Sequence, residues 1–475
     1  MTATSTRPPA LLRGNRRFRT FWLGETISQF GDRISELALP LIAVTVLAAT
    51  PAQVSILTAL IWLPNLLGMF VGAWVDQRTR KRRLLIVADL VRAAVLLSLP
   101  AAYLLDAVTL THLYLVALLT GAGAVLFGMA RQAFFVALVP PSAYVEANSK
   151  LSLSRAASFV AGPALGGGLV QALSAPVAVL VDAVSFLGSA LLIGRIPVDE
   201  ARPAPTRSST LGLVRDGLVL VLRHPVMRAT LGCTSTVNFF TLMTNALLVL
   251  YASRELGLSA GAIGLAFGVG AVGGLAGAAL APRLSRTIGL GRTAMIGVVL
   301  FPAPFALTAL VSGPTWARIA ALAAIEMVSS VGVMLMDVNL NSLLASVTPD
   351  DARGRRAGAY SAVNYGIRPL GALVGGWLGT TIGLRPTLVV AGLGGVLAVL
   401  WLLASPVRRI ATIDEPATDT SAAEGRQSTP PPGPRNRPDP PPAPAGPPRR
   451  DQRTSSEAGP HATAQHGPGA GSVKA

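Results

Sequence analysis

The sequence predicts an all-α integral membrane protein with twelve transmembrane helices in two six-helix, pseudo-symmetric bundles. Three observations carry this. The chain of 475 residues is 51% hydrophobic and only 13% charged, with a mean hydropathy of +0.54; soluble domains carry about 25% charged residues. Twelve apolar segments reach the length of about 20 residues that a helix needs to cross a bilayer. Basic residues gather in every second link between these segments, the asymmetry that orients helices in a membrane.

The segments run over about 18–48, 52–75, 84–105, 108–131, 150–171, 176–195, 226–252, 259–281, 293–312, 316–345, 357–381 and 387–405. They are too long, and alternate too little, to be barrel strands. Residues 1–17 form a basic N-terminus with Arg7, Arg13, Arg16 and Arg17. A cleaved signal would continue with a short uncharged core. Here the next segment holds Glu25, Asp32, Arg33 and Glu36, so it is expected to stay as the first helix.

The second segment ends in Gly72-Ala-Trp-Val-Asp76-Gln-Arg78-Thr-Arg80-Lys81-Arg82-Arg83, a short link strongly enough charged to be held at the cytoplasmic face. Gly72 is expected to let two backbones approach closely, and Asp76 to sit in a local charge network. Further basic residues follow the even-numbered segments: Arg131, Lys150 and Arg155; Arg195 to Arg228; Arg283, Arg286 and Arg292; Arg353, Arg355 and Arg356. The opposite links offer little beyond Arg254, Arg318 and Arg385. Both termini are therefore expected in the cytoplasm of a multi-pass plasma-membrane protein.

The domains follow: an N-terminal bundle over 18–195, a cytoplasmic linker over 196–225, a C-terminal bundle over 226–405 and a tail over 406–475. Within the linker, Leu211, Leu213, Val214, Leu218 and Leu222 interleave with Arg215, Asp216 and Arg223. That pattern suits an amphipathic helix on the inner leaflet; an early start of the seventh helix is the alternative. From about 411 the composition turns to Pro, Ser, Gly and Arg, with Pro430 to Pro434 and Pro440 to Pro444. Such a tail cannot bury a core and is expected to be disordered.

The halves repeat. Gly72 to Arg78 has a counterpart in Gly277-Ala-Ala-Leu-Ala281-Pro-Arg283, six segments later. Val139-Pro-Pro141 followed by Gly162-Pro-Ala-Leu-Gly166-Gly167 has one in Val347-Thr-Pro349 followed by Gly371-Ala-Leu-Val-Gly375-Gly376. Parallel repeats mark transporter folds, whose substrate site lies between the halves near the bilayer midplane.

These features resemble the major facilitator superfamily over about residues 15–409. Gly72-x-x-x-Asp76 with Arg78, Arg80 and Lys81 resembles the family's signature between helices two and three, with Gln77 and Thr79 in place of the usual arginine and glycine. Gly162-Pro163-x-x-Gly166-Gly167 resembles the core of its antiporter signature, with Ser158 and Ser149 where upstream glycines would stand. Ala147-Asn148-Ser149 and Pro349-Asp350-Asp351-Ala-Arg353-Gly354-Arg355 are similar to the branch of macrolide-efflux and enterobactin-exporter proteins. The resemblance implies a cytoplasmic gate of Gly72, Asp76, Arg78, Arg80 and Lys81, joined by Asp89 and Arg92 near the inner face of helix three. The alternative for those two is a local ion pair.

Ionisable groups within the bilayer are costly, about 2.5–3.5 kcal/mol on insertion scales, so each is a functional candidate. Asp32 lies about 21 Å along the first helix at 1.5 Å per residue, near mid-depth, with Glu36 one turn on and Arg33 placed to pair with it. A carboxylate there can take up and release a proton as its access to water changes, or bind a cationic substrate; a packing salt bridge is the alternative. Asp182, Glu326, Asp337 and Arg368 are further mid-depth candidates. Asp337, Asn339 and Asn341 alternate, so all three cannot face one cavity. Asn238 and Asn245 lie two turns apart on helix seven, placed for substrate or for interhelical hydrogen bonds. Gly162, Pro163, Gly166 and Gly167 are expected to kink and thin helix five, for gating or for packing.

The net charge of +17 would suggest nucleic acid on a soluble protein. Here the arginines sit in links without interleaved aromatics, and membrane anchoring accounts for them. Cys233 is the only cysteine, which excludes an internal disulfide. His112, His224, His461 and His466 form no cluster of catalytic or metal-binding type, and the glycines of 261–277 lack the strand-to-helix turn of a phosphate loop. The expectation is a non-enzyme without a cofactor: a monomeric exporter of amphipathic small molecules, energised by proton antiport. A siderophore exporter, a small-molecule importer and a non-transporting receptor or scaffold are the alternatives.

Overall fold

The structure, a computed structural model, describes residues 11–198, 210–349 and 352–411. Arg7, the linker residues Pro203 and Pro205, Asp350 and Asp351, and the tail from residue 412 lie outside the described residues. The fold is all-α and multi-pass. Twelve long helices follow one another: α1 Arg16–Thr45, α2 Pro51–Asp76, α3 Lys81–Leu104, α4 Leu110–Leu138, α5 Tyr144–Leu173, α6 Ala175–Gly194, α7 Pro225–Arg254, α8 Ala260–Ile288, α9 Leu290–Leu310, α10 Thr315–Ser346, α11 Arg353–Thr381 and α12 Leu384–Leu403.

Among the described residues, ten of these are long and apolar enough to cross a membrane. The two outside that set are α1 and α11, at 30 and 29 residues. Both are long enough; it is their polar side chains, Glu25, Asp32, Arg33 and Glu36 on α1 and Arg353 to Arg368 on α11, that set them apart.

Several helices outrun their apolar segments. Helix α4 continues to Leu138, α5 already begins at Tyr144, and α8 continues to Ile288. Arg131, Lys150, Arg155, Arg283 and Arg286 therefore sit in helical turns and not in links, which corrects the sequence reading. Hydropathy ends where charge begins, but backbone hydrogen bonding continues into the interfacial zone. A 30-residue α5 spans about 45 Å at 1.5 Å per residue, well beyond a hydrocarbon core of about 30 Å.

Caps mark the starts. Thr50 closes a capping box with Gln53 ahead of Pro51, and Asn15, Thr109 and Ser259 each accept from a backbone N–H in the first turn. Prolines loosen the ladder where they fall inside: α2 tightens to a 3-10 turn over Leu63–Leu67 beside Pro64, and α9 does so over Ala303–Leu310 beside Pro302 and Pro304. A separate helix, Thr210–Arg223, precedes α7. His224 divides the two: its backbone is extended and its Nδ1 accepts from Met227 N–H at 3.4 Å. This helix sets Val221 into a cluster with Met227, Leu231, Leu344 and Ala359, and Gly217 lies against the carbonyl of Arg355.

Packing repeats with a six-helix offset. Helix α1 packs on α5 and α6 as α7 packs on α11 and α12. Likewise α2 with α4 matches α8 with α10, and α3 with α4 and α6 matches α9 with α10 and α12. Between the two sets, α5 meets α8 and α2 meets α11.

Candidate functional site

The polar interior of the first set is built on α1, α3 and α6. Arg92 of α3 forms an ion pair with Asp32 of α1; the arginine side chain is 5% exposed and the aspartate 39%. The guanidinium also lies 3.8 Å from the ring centroid of Phe186 on α6, a stacking that compensates part of its lost hydration. Gly123 of α4 makes room for it, since a β-carbon there would fall 2.9 Å from Arg92 Cδ. Three residues before Arg92, Asp89 is fully buried and in no ion pair among the described residues, with the Ser189 hydroxyl of α6 as its polar neighbour. Arg92 thus sits between two carboxylates and is paired with the more exposed one. Arg92 is engaged with Asp32, about 16 Å from the start of α3 at 1.5 Å per residue, and not in a local ion pair with Asp89.

Asp182 of α6 is fully buried and accepts from Ser35 of α1 and, at 3.1 Å, from Ser185. Gly31 lets α1 come this close, because a β-carbon there would strike Asp182 and Ser185. Arg33 pairs with Glu36, as their spacing predicts, and its guanidinium lies 5.4 Å from the Phe159 ring on α5. Glu25, which the sequence reading placed on α1 without a role, is 6% exposed and meets Arg131 of α4 at 3.5 Å and Gln29 at 3.0 Å. A signal existed: Glu25 precedes Asp32 by 32 − 25 = 7 residues, two turns on the same face.

The second set builds a different cluster. Arg368 of α11 donates to Asn238 of α7 at 2.8 Å, and Asn238 donates to Asn364 at 2.9 Å. The Arg368 guanidinium lies 4.3 Å from the Trp62 ring of α2 and 5.0 Å from that of Tyr365; the two rings stack at 6.3 Å. Asp337 of α10 is near enough for its charge to act on Arg368. Asp337 and Asn341 are exposed on one face while Asn339 is buried on another, as their alternation requires. Asn245 is exposed and apart from Asn238's cluster, and Glu326 of α10 faces Gly270 of α8.

At the α2–α3 link, Lys81 reaches back to the carbonyls of Val75 and Asp76 at 3.3 and 3.2 Å, and Arg78 stacks 4.5 Å from the Trp74 ring. Arg80 stands at the residue before α3 and makes no capping side-chain hydrogen bond. The close approach expected at Gly72 falls elsewhere. A β-carbon at Gly72 would touch only the flexible Met129 side chain, at 3.4 Å, whereas Gly121 of α4 lies against the backbone of Ile61. The close backbone contact of α2 with α4 is thus at Ile61, 72 − 61 = 11 residues before Gly72.

The two glycine motifs occupy equivalent places. Gly162 and Gly166 of α5 lie against Arg33 and Ile34 of α1, while Gly371 and Gly375 of α11 lie against Phe239 and Met243 of α7. Gly167 then faces α8, where a β-carbon would fall 2.9 Å from Gly264 Cα, and Gly376 faces α2, where it would fall 3.1 Å from Ala52 Cα. Gln171 accepts from Ser259 and from Gly261 N–H, both at 2.9 Å. Helix α5 runs unbroken through Pro163, so these residues bring helices together on two sides. Farther along α8, Gly270, Gly273 and Gly277 turn to α10. The close approaches of α5 to α8 thus gather at one end of the pair.

No group of three or more metal-ligating side chains exists among the described residues. The model of the Major Facilitator Superfamily matches residues 21–367 and 230–433. The multidrug efflux pump Tap of Mycolicibacterium fortuitum is 27% identical over 357 residues, covering 71% of this chain and 84% of the pump. The enterobactin exporter EntS of Salmonella choleraesuis is 25% identical over 402 residues, covering 83% and 93%. A bacterial homologue of the iron transporter ferroportin, in an inward-facing state, superposes with a TM-score of 0.66 at 19% identity, covering 82% of this chain and 98% of that one.

Proposed function

This chain belongs to the Major Facilitator Superfamily, and from that premise we propose that it exports amphipathic small molecules by proton antiport with alternating access. It is a membrane transporter and not an enzyme. In this reading α1 and α11 are the remaining two spans of twelve, their polar side chains turned to a central path between two six-helix bundles. Both termini lie in the cytoplasm, so the glycine contacts of α5 with α8 and of α2 with α11 close the outer end.

The observation that supports proton coupling most is the choice offered to Arg92. Its partner Asp32 is the more exposed carboxylate, and the fully buried Asp89, beside the Ser189 hydroxyl, is in no ion pair among the described residues. A proton or a cationic substrate that neutralises Asp32 removes Arg92's reason to stay, and the guanidinium can turn to Asp89. A buried charge left without a partner is strongly unfavourable, about 3–5 kcal/mol, so whichever carboxylate lacks Arg92 carries the proton, and the exchange of pairings takes up a proton at Asp32 as Asp89 releases one. Asp182, held by Ser35 and Ser185, ties α1 to α6 behind this switch, with Glu36 and Arg33 beside it. Asn238, Asp337 and Arg368, with Trp62 and Tyr365, present a polar and aromatic surface to substrate, while Asn245 and Glu326 lie farther along the path. Gly72, Asp76, Arg78, Arg80 and Lys81 form the cytoplasmic gate. Energy comes from the proton gradient, with no cofactor, and the working unit is a monomer in the plasma membrane.

The relatives named as a multidrug pump and an enterobactin exporter support export over import. The second reading, siderophore export, draws on the latter and on the cationic Arg368, which suits an acidic substrate. Purified full-length protein in liposomes tests the proposal. A pH gradient should drive uphill movement of a lipophilic cationic dye; movement independent of the gradient, or none for any substrate class, rejects it.

A further inference from the structure

At the end of the molecule where α8 and α12 finish, a cavity of about 480 Å3 opens between the last turn of α8, the turn into α9 and the segment after α12. Arg286, Arg292, Arg408 and Arg409 line it, and no acidic residue does among the described residues. All four are exposed, and none is in an ion pair among the described residues.

The arginines are held in place. Leu290 and Gly291 N–H donate to the carbonyls of Ala411 and Ile410 at 3.1 and 3.0 Å, which pins the segment after α12 to the start of α9. Gly289 has φ +91°, and a β-carbon there would also crowd Ala411, 3.0 Å from its Cα. In the other half, the matching joint between the start of α3 and the end of α6 is made by a guanidinium, Arg82 Nη1 to the Ile196 carbonyl at 2.8 Å. Here the backbone makes the joint, and Arg292 is left to the cavity. Four like charges around one cavity repel one another; an anion among them converts that repulsion into charge-assisted hydrogen bonding.

The surface beside the cavity is apolar. Leu393, Leu397 and Leu400 are 58%, 57% and 55% exposed and give α12 an apolar stripe ahead of the Pro406–Arg409 turn, with Leu397 in the turn between the helical pieces that end at Val396 and begin at Val399. We propose that the cavity binds the phosphate of an anionic phospholipid headgroup, with the acyl chains lying along this stripe. A free phosphate would use the same guanidinium groups but not the stripe.

Cys233 is buried and is the only cysteine, so a thiol-reactive dye reports unfolding of the full-length protein in neutral detergent. Dioleoylphosphatidylglycerol should raise the unfolding temperature by several degrees over dioleoylphosphatidylcholine, because a ligand of the native state stabilises it. The variant R292A/R408A/R409A should lose most of that shift, and R16A/R17A/R19A, which removes the same charge elsewhere, should keep it. Arg292→Gln alone should lose part of it, and serves if the triple variant does not fold. Inorganic phosphate should give no shift. A full shift with phosphate alone assigns the cavity to a free anion and overturns the lipid reading; equal effects of the two lipids, or an undiminished shift in the arginine variants, overturn the site.

Discussion

Arg92 of α3 is paired with Asp32 of α1, although the buried carboxylate of Asp89 lies one helical turn away on its own helix and is in no ion pair among the described residues. The arrangement leaves one cation to satisfy two acids, and it makes Asp32 and Arg92 unequal under mutation.

Asp32→Asn keeps the shape and removes the titration. We expect normal expression and folding, loss of efflux driven by a pH gradient, and surviving counterflow without a gradient. Normal gradient-driven transport by this variant in liposomes would pass the coupling role to Asp182, Glu326 or Asp337. Glu36→Gln should be milder, since Glu36 is exposed and held only by Arg33.

Arg92→Met should be the more damaging to stability. It removes the one cation shared by Asp32 and the buried Asp89, and an acid left buried with no cation beside it destabilises the fold. Thermal unfolding should fall well below that of Asp32→Asn. Restoration by the double variant R92M/D89N would identify Asp89 as the stranded group, and no restoration would clear it.

Gly264→Leu should hold the α5–α8 end apart, because the added side chain meets the carbonyl of Pro163 and Gly167 Cα. With Cys233 replaced by Ala, cysteines at Gln171 and Gly261 should cross-link readily in the parent and poorly in this variant, and transport should stop. Efficient cross-linking in Gly264→Leu would refute the seam.

Topology is tested by single cysteines. Those at Thr109 and Ser174 should react with impermeant reagents in intact cells, and one at Thr79 should not. Reaction at Thr79 would reject cytoplasmic termini.

The tail should be dispensable only from residue 412 onward. A chain ending at Ala411 should insert and transport as before. A chain ending at Arg409 loses the carbonyls that receive Gly291 and Leu290 N–H, a cost of about 1–3 kcal/mol if those donors stay unsatisfied, and should melt earlier. Equal melting of the two chains would show that this joint contributes nothing.

What could be read from the sequence was local. Twelve helices, their order and the repeat of Gly162-x-x-x-Gly166-Gly167 in Gly371-x-x-x-Gly375-Gly376 follow from hydropathy and spacing. The Arg33–Glu36 pair follows from three residues of separation. The Asp32–Arg92 pair joins residues 60 apart and Glu25–Arg131 residues on α1 and α4; neither has a sequence period to announce it. Gly72 and Gly121 show the same limit: both are small residues in apolar helices, and only the crossing of α2 with α4 decides which one is needed.

Gly167 and Gly264 touch backbone to backbone. Surfaces without side chains hide little apolar area, and burial is worth only about 25 cal/mol per Å2, so such contacts adhere weakly while fitting closely. They behave as bearings more than as latches. A joint of this kind separates without having to melt a hydrophobic core, which keeps the open and shut forms close in free energy. The smaller that gap, the smaller the stimulus that tips it, and one proton on one carboxylate is a small stimulus.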